Sequence, residues 1–574
     1  MWITLNILGL YIVFVGARWY NCNMYIRVSS RKNKDNKVVK YVQLAHNVRN
    51  PKSGSPQAEV IHSFGRMDEL DMDALKRLAR SIKRFLGEEP TLFDGKTPEL
   101  KLLSSRPMGG AWLLDGLWKR IGIDKLLDKR LKNREFRTEI ERVILAMVAN
   151  RALAPSSKLG LEEWISKKVM LPGLNELDVQ HCYRAMDFLL ESEEEIQHEV
   201  FNAVADLFNL EVDLLFFDTT STYFEMNEWD DEDFKLQGHS KDSRPDLPQI
   251  VIGLAVTRDG IPIRCWSWPG NTSDMTVIPE VKRDLTGWKL GRVITVADRG
   301  FSSEENLRIL QQAGGHYIVG ERMTAGKPIV EKALSHPGRF KYIRDNLEAK
   351  EVIIGDGEAR VRYVLVRNPS EARRDATRRE KHLEKLKAEL AKLKELDGSA
   401  HSKAHCRLNS HITFKKYLKM DSKGNFKINN QIVKEMEHLD GKYLIRTSDD
   451  TLSVEDIALG YKQLFEVERA FRTLKTTLEL RPVYHRKEER IRAHVLLCWL
   501  SLLLVRIAEV NTQQTWPQLL SELEDMHLVE YESGDGKLYQ RTELTENQKR
   551  ILFLLKIPEP AKIQDISLIR GSKA

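Results

Sequence analysis

The chain has 574 residues, 42% of them hydrophobic, and its 90 Lys and Arg against 83 Asp and Glu leave a formal charge of +7. At roughly 100 to 200 residues per domain that length excludes a single small unit and predicts three or four. Five scattered cysteines with no C-x-x-C pair argue against a disulfide framework or a zinc site and suit a reducing cytoplasm.

In chain order, Trp2 to Ala17 is apolar, but no basic residue precedes it and it falls short of the about 20 apolar residues that span a membrane. Residues 1–23 are therefore expected to be an extension foreign to a soluble protein that starts at Met24, with a membrane anchor as the alternative. From Met24 to Pro56, eight basic residues (Arg27, Arg31, Lys32, Lys34, Lys37, Lys40, Arg49 and Lys52) face one acid, Asp35. That segment matches the whole net charge and suggests attraction to a polyanion, although a solvated surface hairpin has the same composition. Residues 24–66 alternate like strands, with turns at Lys34-Asp35-Asn36 and Pro51-Lys52-Ser53-Gly54, and predict a small basic β-hairpin region.

Residues 67–210 read as an all-α region for DNA binding or dimerisation. Leu75, Leu78, Ile82 and Leu86 share one helix face, and Ile140, Val143, Ile144 and Met147 share another. From 211 the texture is α/β. Leu214 to Phe217 predicts a strand ending at Asp218, and Ile250 to Thr257 and Ile261 to Trp268 predict two strands around the turn Arg258-Asp259-Gly260. A helix over Val277 to Leu285, a strand Val293 to Ala297 ending at Asp298, a helix Ser303 to Ala313 and a strand Tyr317 to Gly320 follow. This order predicts a multidomain α/β protein with an RNase H-like mixed sheet in 211–321 and 439–510. Residues 322–438 read as an insertion, with β-like pieces at Glu351 to Gly355 and Val361 to Val366 and a charged helix from Glu371 to Leu396. There Leu383, Leu386, Leu390 and Leu393 suit either a short coiled-coil seam or an intramolecular helical hairpin. The strand Tyr443 to Arg446 resumes the sheet. The apolar run Val495 to Val505 is short for a span and reads as a buried helix, and 511–574 form a C-terminal region.

Asp218 and Asp298 each end a buried run, and Glu468 lies later on a helix. Three carboxylates converging from two strands and a helix suit a pair of Mg²⁺ ions, because hard cations choose oxygen ligands. Two such ions, roughly 3.5 to 4 Å apart, can activate an attacking oxygen and stabilise a leaving one in phosphoryl displacement. Either aspartate alone reads equally as a turn former or helix cap. On the predicted helix, Tyr461, Leu464, Glu468, Arg472 and Lys475 are spaced by three or four and share one face. Cations beside a metal-binding carboxylate suit neighbouring phosphates; an amphipathic helix with ordinary ion pairs reads the same way.

These residues resemble the bacterial insertion-sequence DDE transposases of the insertion sequence four superfamily, whose third acid lies in a Tyr-x2-Arg-x3-Glu-x6-Lys signature. Tyr461, Glu468 and Lys475 fall on it in register, and Leu464 stands at the usual Arg, whose phosphate contact Arg472 or Arg469 would supply. Phe217-Asp218-Thr219-Thr220-Ser221 and Ala297-Asp298-Arg299-Gly300-Phe301 are similar to the family's first and second acidic motifs. The resemblance implies an RNase H-like core and catalytic, metal-binding Asp218, Asp298 and Glu468 with Mg²⁺, for which Mn²⁺ substitutes. It implies endonuclease action at terminal inverted repeats, 3′-hydroxyl joining to target DNA, and in some relatives a hairpin on the excised end. It also implies a homodimer in the DNA complex and a cytoplasmic, nucleoid-associated location without a membrane partner. Tyr461, Arg472, Lys475 and Arg299 become candidate DNA contacts.

The loop Gly238 to Gln249 adds Lys241 and Arg244 as DNA contacts, or else builds a turn. Asp274 reads as a helix cap, and Trp266 and Trp268, two apart on a strand, as sheet packing or base stacking. Arg481, Arg486, Lys487, Arg490 and Arg492 continue a DNA path or form a solvated face. Another RNase H-like nuclease, or an inactive DNA-binding descendant of a transposase, is the alternative function.

Overall fold

The computed structural model of the chain describes residues 25–32, 38–49, 56–85, 101–132, 134, 139–208, 214–225, 234–287, 293–324, 326–357, 360–422, 424–533 and 536–568. The apolar extension 1–23, both turns of the basic region and Leu86 lie outside the described residues. The chain forms two compact units, Met1–Trp112 with Lys167–Met170 and Leu520–Ala574, and Leu113–Ser166 with Leu171–Leu519.

The first unit holds a three-stranded antiparallel sheet, Tyr25–Lys32, Val38–Arg49 and Pro56–Arg66, with Arg27, Arg31 and Lys40 exposed on it. Its second sheet departs from the all-α expectation for 67–210. Lys101–Pro107 is a strand, paired antiparallel with His527–Ser533 and continued by Gly536–Arg541 and Ile563–Leu568. Ser105 meets His527 across 422 positions, and so distant a partner leaves no periodic mark on seven half-polar residues.

The second unit is built on a nine-stranded sheet. Its strands in chain order are β1 (Leu214–Tyr223), β2 (Gln249–Val256), β3 (Pro262–Pro269), β4 (Ile294–Ala297), β5 (His316–Glu321), β6 (Lys341–Arg344), β7 (Leu347–Ile354), β8 (Val361–Arg367) and β9 (Lys442–Thr447). The spatial order is β6-β7-β8-β9-β5-β4-β1-β2-β3, with β4 parallel to both β1 and β5 and every other pair antiparallel. The β-like pieces of the insertion thus extend the central sheet through β9. Only the chain after Arg367 leaves it, as helices Pro369–Lys394, Gly398–Ser410 and Asn430–Glu437 with a small hairpin.

Within that outgrowth Leu386 and Leu393 are buried against Leu408, Phe414, Tyr417 and Phe426, with Leu383 and Leu390 alongside. The leucine seam therefore closes an intramolecular hairpin. Helix Ile140–Leu153 is buried on all sides, because Val179–Glu191 and Glu488–Thr512 both pack on it. Helix Glu488–Thr512 is apolar and long enough to cross a membrane, and is buried in the fold. Trp266 and Trp268 stack at 6.2 Å, and their indole N–H groups donate to Asp284 at 2.9 Å and Glu280 at 2.8 Å on helix Ile278–Gly287. They pack sheet against helix and offer no platform for a base.

Leu386→Ala should cost the outgrowth about 2–5 kcal/mol, the usual range for a buried leucine. Limited proteolysis in urea should then cut residues 369–438 at lower denaturant while the central sheet stays protected; an unchanged cleavage midpoint would disprove this packing role.

Candidate active site

The parallel pair β1 and β4 sets the geometry. Their last paired residues are Phe217 and Ala297, so Asp218 and Asp298 are the next residue on each strand and sit side by side. Asp218 does not end its strand as expected: β1 runs on to Tyr223 because β2 pairs with it throughout. Asp298 does end β4, leading into a 3-10 turn over Arg299–Phe301 that packs Phe301 at 5.3 Å from the Phe217 ring. The Asp218 side chain is 24% exposed, and Asp298 is open to solvent.

The predicted helix through Tyr461 and Lys475 is two helices, Val454–Lys462 and Phe465–Thr476, joined at Gln463 and Leu464. The common face accordingly splits. Tyr461 lies against Gly320 of β5, where an added Cβ would come within 2.1 Å of its hydroxyl, and its ring centroid lies 5.7 Å from that of Tyr443, the two rings tilted by 32°. From there its hydroxyl donates to Asp298 Oδ1 at 3.1 Å. Glu468 is exposed on the second helix, which packs on β1 and β2. That helix is moored by buried Arg506, which joins Glu466 at 3.2 Å and Glu509 at 2.6 Å and donates to the carbonyls of Asp259 and Gly260 in the β2–β3 turn. Arg469 turns to Glu509 at 3.5 Å, whereas Arg472 is exposed.

Lys241 from the loop before β2 reaches into the same place. Its Nζ donates to the Thr219 carbonyl at 2.7 Å and hydroxyl at 2.6 Å, and lies 3.1 Å from Asp274 Oδ2 and 3.8 Å from Asp218 Oδ1. Asp274 also accepts from the Thr219 hydroxyl. It is no helix cap: Ser273 holds that turn, and the Asp274 carboxylate faces the cluster. The residue after Lys241, Asp242, pairs with Lys475 at 2.8 Å and Arg481 at 3.2 Å. Arg244 is held by Asp246 at 2.9 Å, and Arg244 and Arg481 both lie over the Tyr223 ring. Beyond the helix, Arg490 is engaged with Asp187 and Arg492 with Glu488, while Arg486 and Lys487 are exposed. Arg299 and Arg472 are exposed with no ion pair among the described residues.

Electrostatics follow this packing. Burial pushes the Asp218 carboxyl up to about 6, with the charges of Asp274 and Asp298 adding to it and Lys241 opposing. Burial, then Asp298, hold the Tyr461 phenol well above its ordinary value, so it remains a donor. Burial lowers the Lys475 ammonium, which Asp242 opposes.

Among the described residues no group of three His, Cys, Asp or Glu side chains is close enough to hold a metal ion, and Glu468 does not join the two aspartates in this arrangement. By donor chemistry Asp218 and Asp298 do fit a divalent cation, being adjacent oxygen donors, and a cation would lower again the carboxyl that burial, with smaller contributions from Asp274 and Asp298, raises. Sequence reasoning missed Asp274, Thr219 and Asp242, whose short polar side chains are common in turns. It also missed a cavity of about 610 Å³ beside Asp298 and Tyr461, into which the outgrowth brings Arg378, Arg379 and Lys416. The charge density of helix Pro369–Lys394 was its only signal.

The raised Asp218 pKa has a sign that can be tested in metal-free protein. Its stability contribution is fully present below about pH 4, the unfolded value, and lost as pH rises through about 6. Asp218→Asn should therefore melt higher than the parent near pH 7.5 (roughly) and equal to it near pH 4 (roughly); a variant that melts lower at the higher pH would show that the carboxylate is not strained by burial.

Residues 26–94 match the family described as IS1634 family transposase, N-terminal domain, and residues 252–504 match the transposase DDE domain. The second match contains Asp298 and Glu468 and begins beyond Asp218. A comparison with curated protein sequences found no match. Among solved structures, the cryo-EM structure of a piggyBac transposase synaptic complex with hairpin DNA is 11% identical at a TM-score of 0.32, covering 72% of this chain and 77% of that chain, a likeness too low to carry an argument. The two family matches bracket the strand pair and the helices that form this site, and the chain is a DNA transposase, an enzyme of the DDE type.

Proposed function

We propose that this transposase cuts and joins the ends of its element through Asp218, Asp298 and Glu468, by phosphodiester hydrolysis followed by 3′-hydroxyl attack on target DNA. The observation that carries this reading is the register of β1 and β4, which sets two aspartates abreast at the end of a parallel pair. The order β3-β2-β1-β4-β5, with β1, β4 and β5 parallel, supports an RNase H-like core, and the acidic motifs with Tyr461, Glu468 and Lys475 support the insertion sequence four superfamily. Asp218, Asp298 and Glu468 would hold Mg²⁺ or Mn²⁺, which activates the attacking oxygen and stabilises the leaving one.

The chain's own residues supply positioning. Tyr461 fixes one oxygen of Asp298 by a hydrogen bond, and Gly320 leaves room for it. Lys241 carries the positive charge between Asp218 and Asp274 and is placed to exchange these partners for a phosphate oxygen. Lys475 and Arg481, braced by Asp242, form a second cationic point, and exposed Arg299 and Arg472 flank the acids; Arg244 extends the line along Tyr223. The cavity lined by Arg378, Arg379 and Lys416 would receive DNA next to the cut, and the basic N-terminal sheet would be a further DNA contact. A homodimer on paired ends, in the cytoplasm at the nucleoid, completes the proposal.

Glu468→Gln should abolish cleavage of DNA bearing the element's inverted repeats in Mg²⁺ or Mn²⁺ while leaving its binding in a gel-shift assay within about twofold, under 0.5 kcal/mol. Normal cutting by that variant would remove Glu468 from the mechanism. Gly320→Ala should displace the Tyr461 phenol and slow cleavage, roughly 10- to 100-fold if it costs about 1.4–2.8 kcal/mol. Added to Tyr461→Ala it should do little more, since both changes break one contact; fully additive losses would disconnect Gly320 from Tyr461.

A further inference from the structure

A second cavity, of about 450 Å³, lies between the helices of residues 140–191 and the loop that follows helix Phe465–Thr476. Lys158 lines it and is only 8% exposed, yet it has no hydrogen-bond or ion-pair partner among the described residues. Its charged neighbour is another cation, Arg151, and the nearby groups that would offset it are the neutral thiols of Cys182 and Cys498. Arg151, also buried, spends its guanidinium on the carbonyls of Glu479 at 3.2 Å and of Ser156 and has an unpaired Nε. Among the described residues neither reaches a carboxylate at ion-pair distance. His485 is held neutral by burial and these cations, its pKa down at about 4, and burial pushes His494 well below its ordinary value. Glu479 and exposed Tyr484 stand among the other lining residues.

Burying one ammonium beside a guanidinium without a counter-charge costs several kcal/mol, and proteins normally pair such groups. The unpaired lysine faces a cavity large enough for an oxyanion, and the guanidinium behind it is locked in place. We propose that this cavity is a binding site for a phosphate group, with Lys158 as its contact and Arg151 as a fixed second charge, and that in the DNA complex the group is a backbone phosphate. The second half rests on the DNA transposase function. The loop that closes the cavity supplies Glu479, whose carbonyl holds Arg151, and Arg481, which braces Asp242 beside Lys475. A phosphate held here would register DNA against the helix that carries Glu468.

The test uses the full chain and Lys158→Met, which keeps the length of the side chain and removes its charge. Melting is followed in chloride buffer as inorganic phosphate replaces chloride at constant ionic strength, and duplex binding is measured across a salt series. The parent should melt higher in phosphate; the variant should melt above the parent in chloride and lose the phosphate response. The slope of log affinity against log salt should fall by about 0.9 in the variant, the value of one phosphate contact. A phosphate response without a slope change assigns the site to free phosphate and overturns the DNA half; a slope change alone supports the DNA half. Neither effect, with the parent still binding DNA in a salt-dependent way, overturns the site and leaves the transposase reading intact. Lys158→Gln gives the same readings if the methionine variant does not fold.

Discussion

Everything at the site depends on one backbone pairing. Because β1 and β4 run parallel and stop pairing at Phe217 and Ala297, Asp218, still within β1, and Asp298, just past the end of β4, stand side by side. Like charges so placed, one partly buried, repel, and the fold offsets this with Lys241, which Thr219 fixes at its carbonyl and hydroxyl. Burial, and then the charges of Asp274 and Asp298, still hold the Asp218 carboxyl above its ordinary value. A site held short of neutrality suits a protein that must take up a cation and a polyanion.

The same logic extends outward through braced cations. Lys475 and Arg481 share Asp242, Lys241 shares Asp274 and Thr219, and Arg506 ties the Glu468 helix to the β2–β3 turn. Each arrangement fixes a long side chain in advance, which would reduce the entropy lost where, as proposed, a phosphate replaces an internal acid. Lys158 is the contrasting case, a buried cation beside another cation that pairs with no acid among the described residues. An internal acid at Lys475 and no paired acid at Lys158 would be two ways of keeping a cation ready for the proposed phosphates.

The insertion changes meaning in three dimensions. Its first part adds β6, β7 and β8 to the sheet through β9, so the outgrowth stands on the same rigid base as the acids. Its leucines are consumed by its own hairpin, which leaves the cationic side of helix Pro369–Lys394 to face Asp298 across the larger cavity.

The sequence by itself determined the order of strands and helices from Leu214 to Glu321, because each strand is a short apolar run bounded by turn residues. It also singled out Asp218, Asp298, Glu468, Tyr461 and Lys475 through local motifs. Only tertiary structure decided that Asp218 lies within its strand, since the pairing of β2 and not local composition sets where β1 ends. It decided that Tyr461 and Glu468 belong to different helices, since both Gln463 and Leu464 keep helical dihedrals and no glycine or proline marks the break. The strand Lys101–Pro107 and the charged neighbours Asp274 and Asp242 were decided the same way. Their partners are remote in the chain, and an interaction that exists only after folding leaves no period or spacing to read.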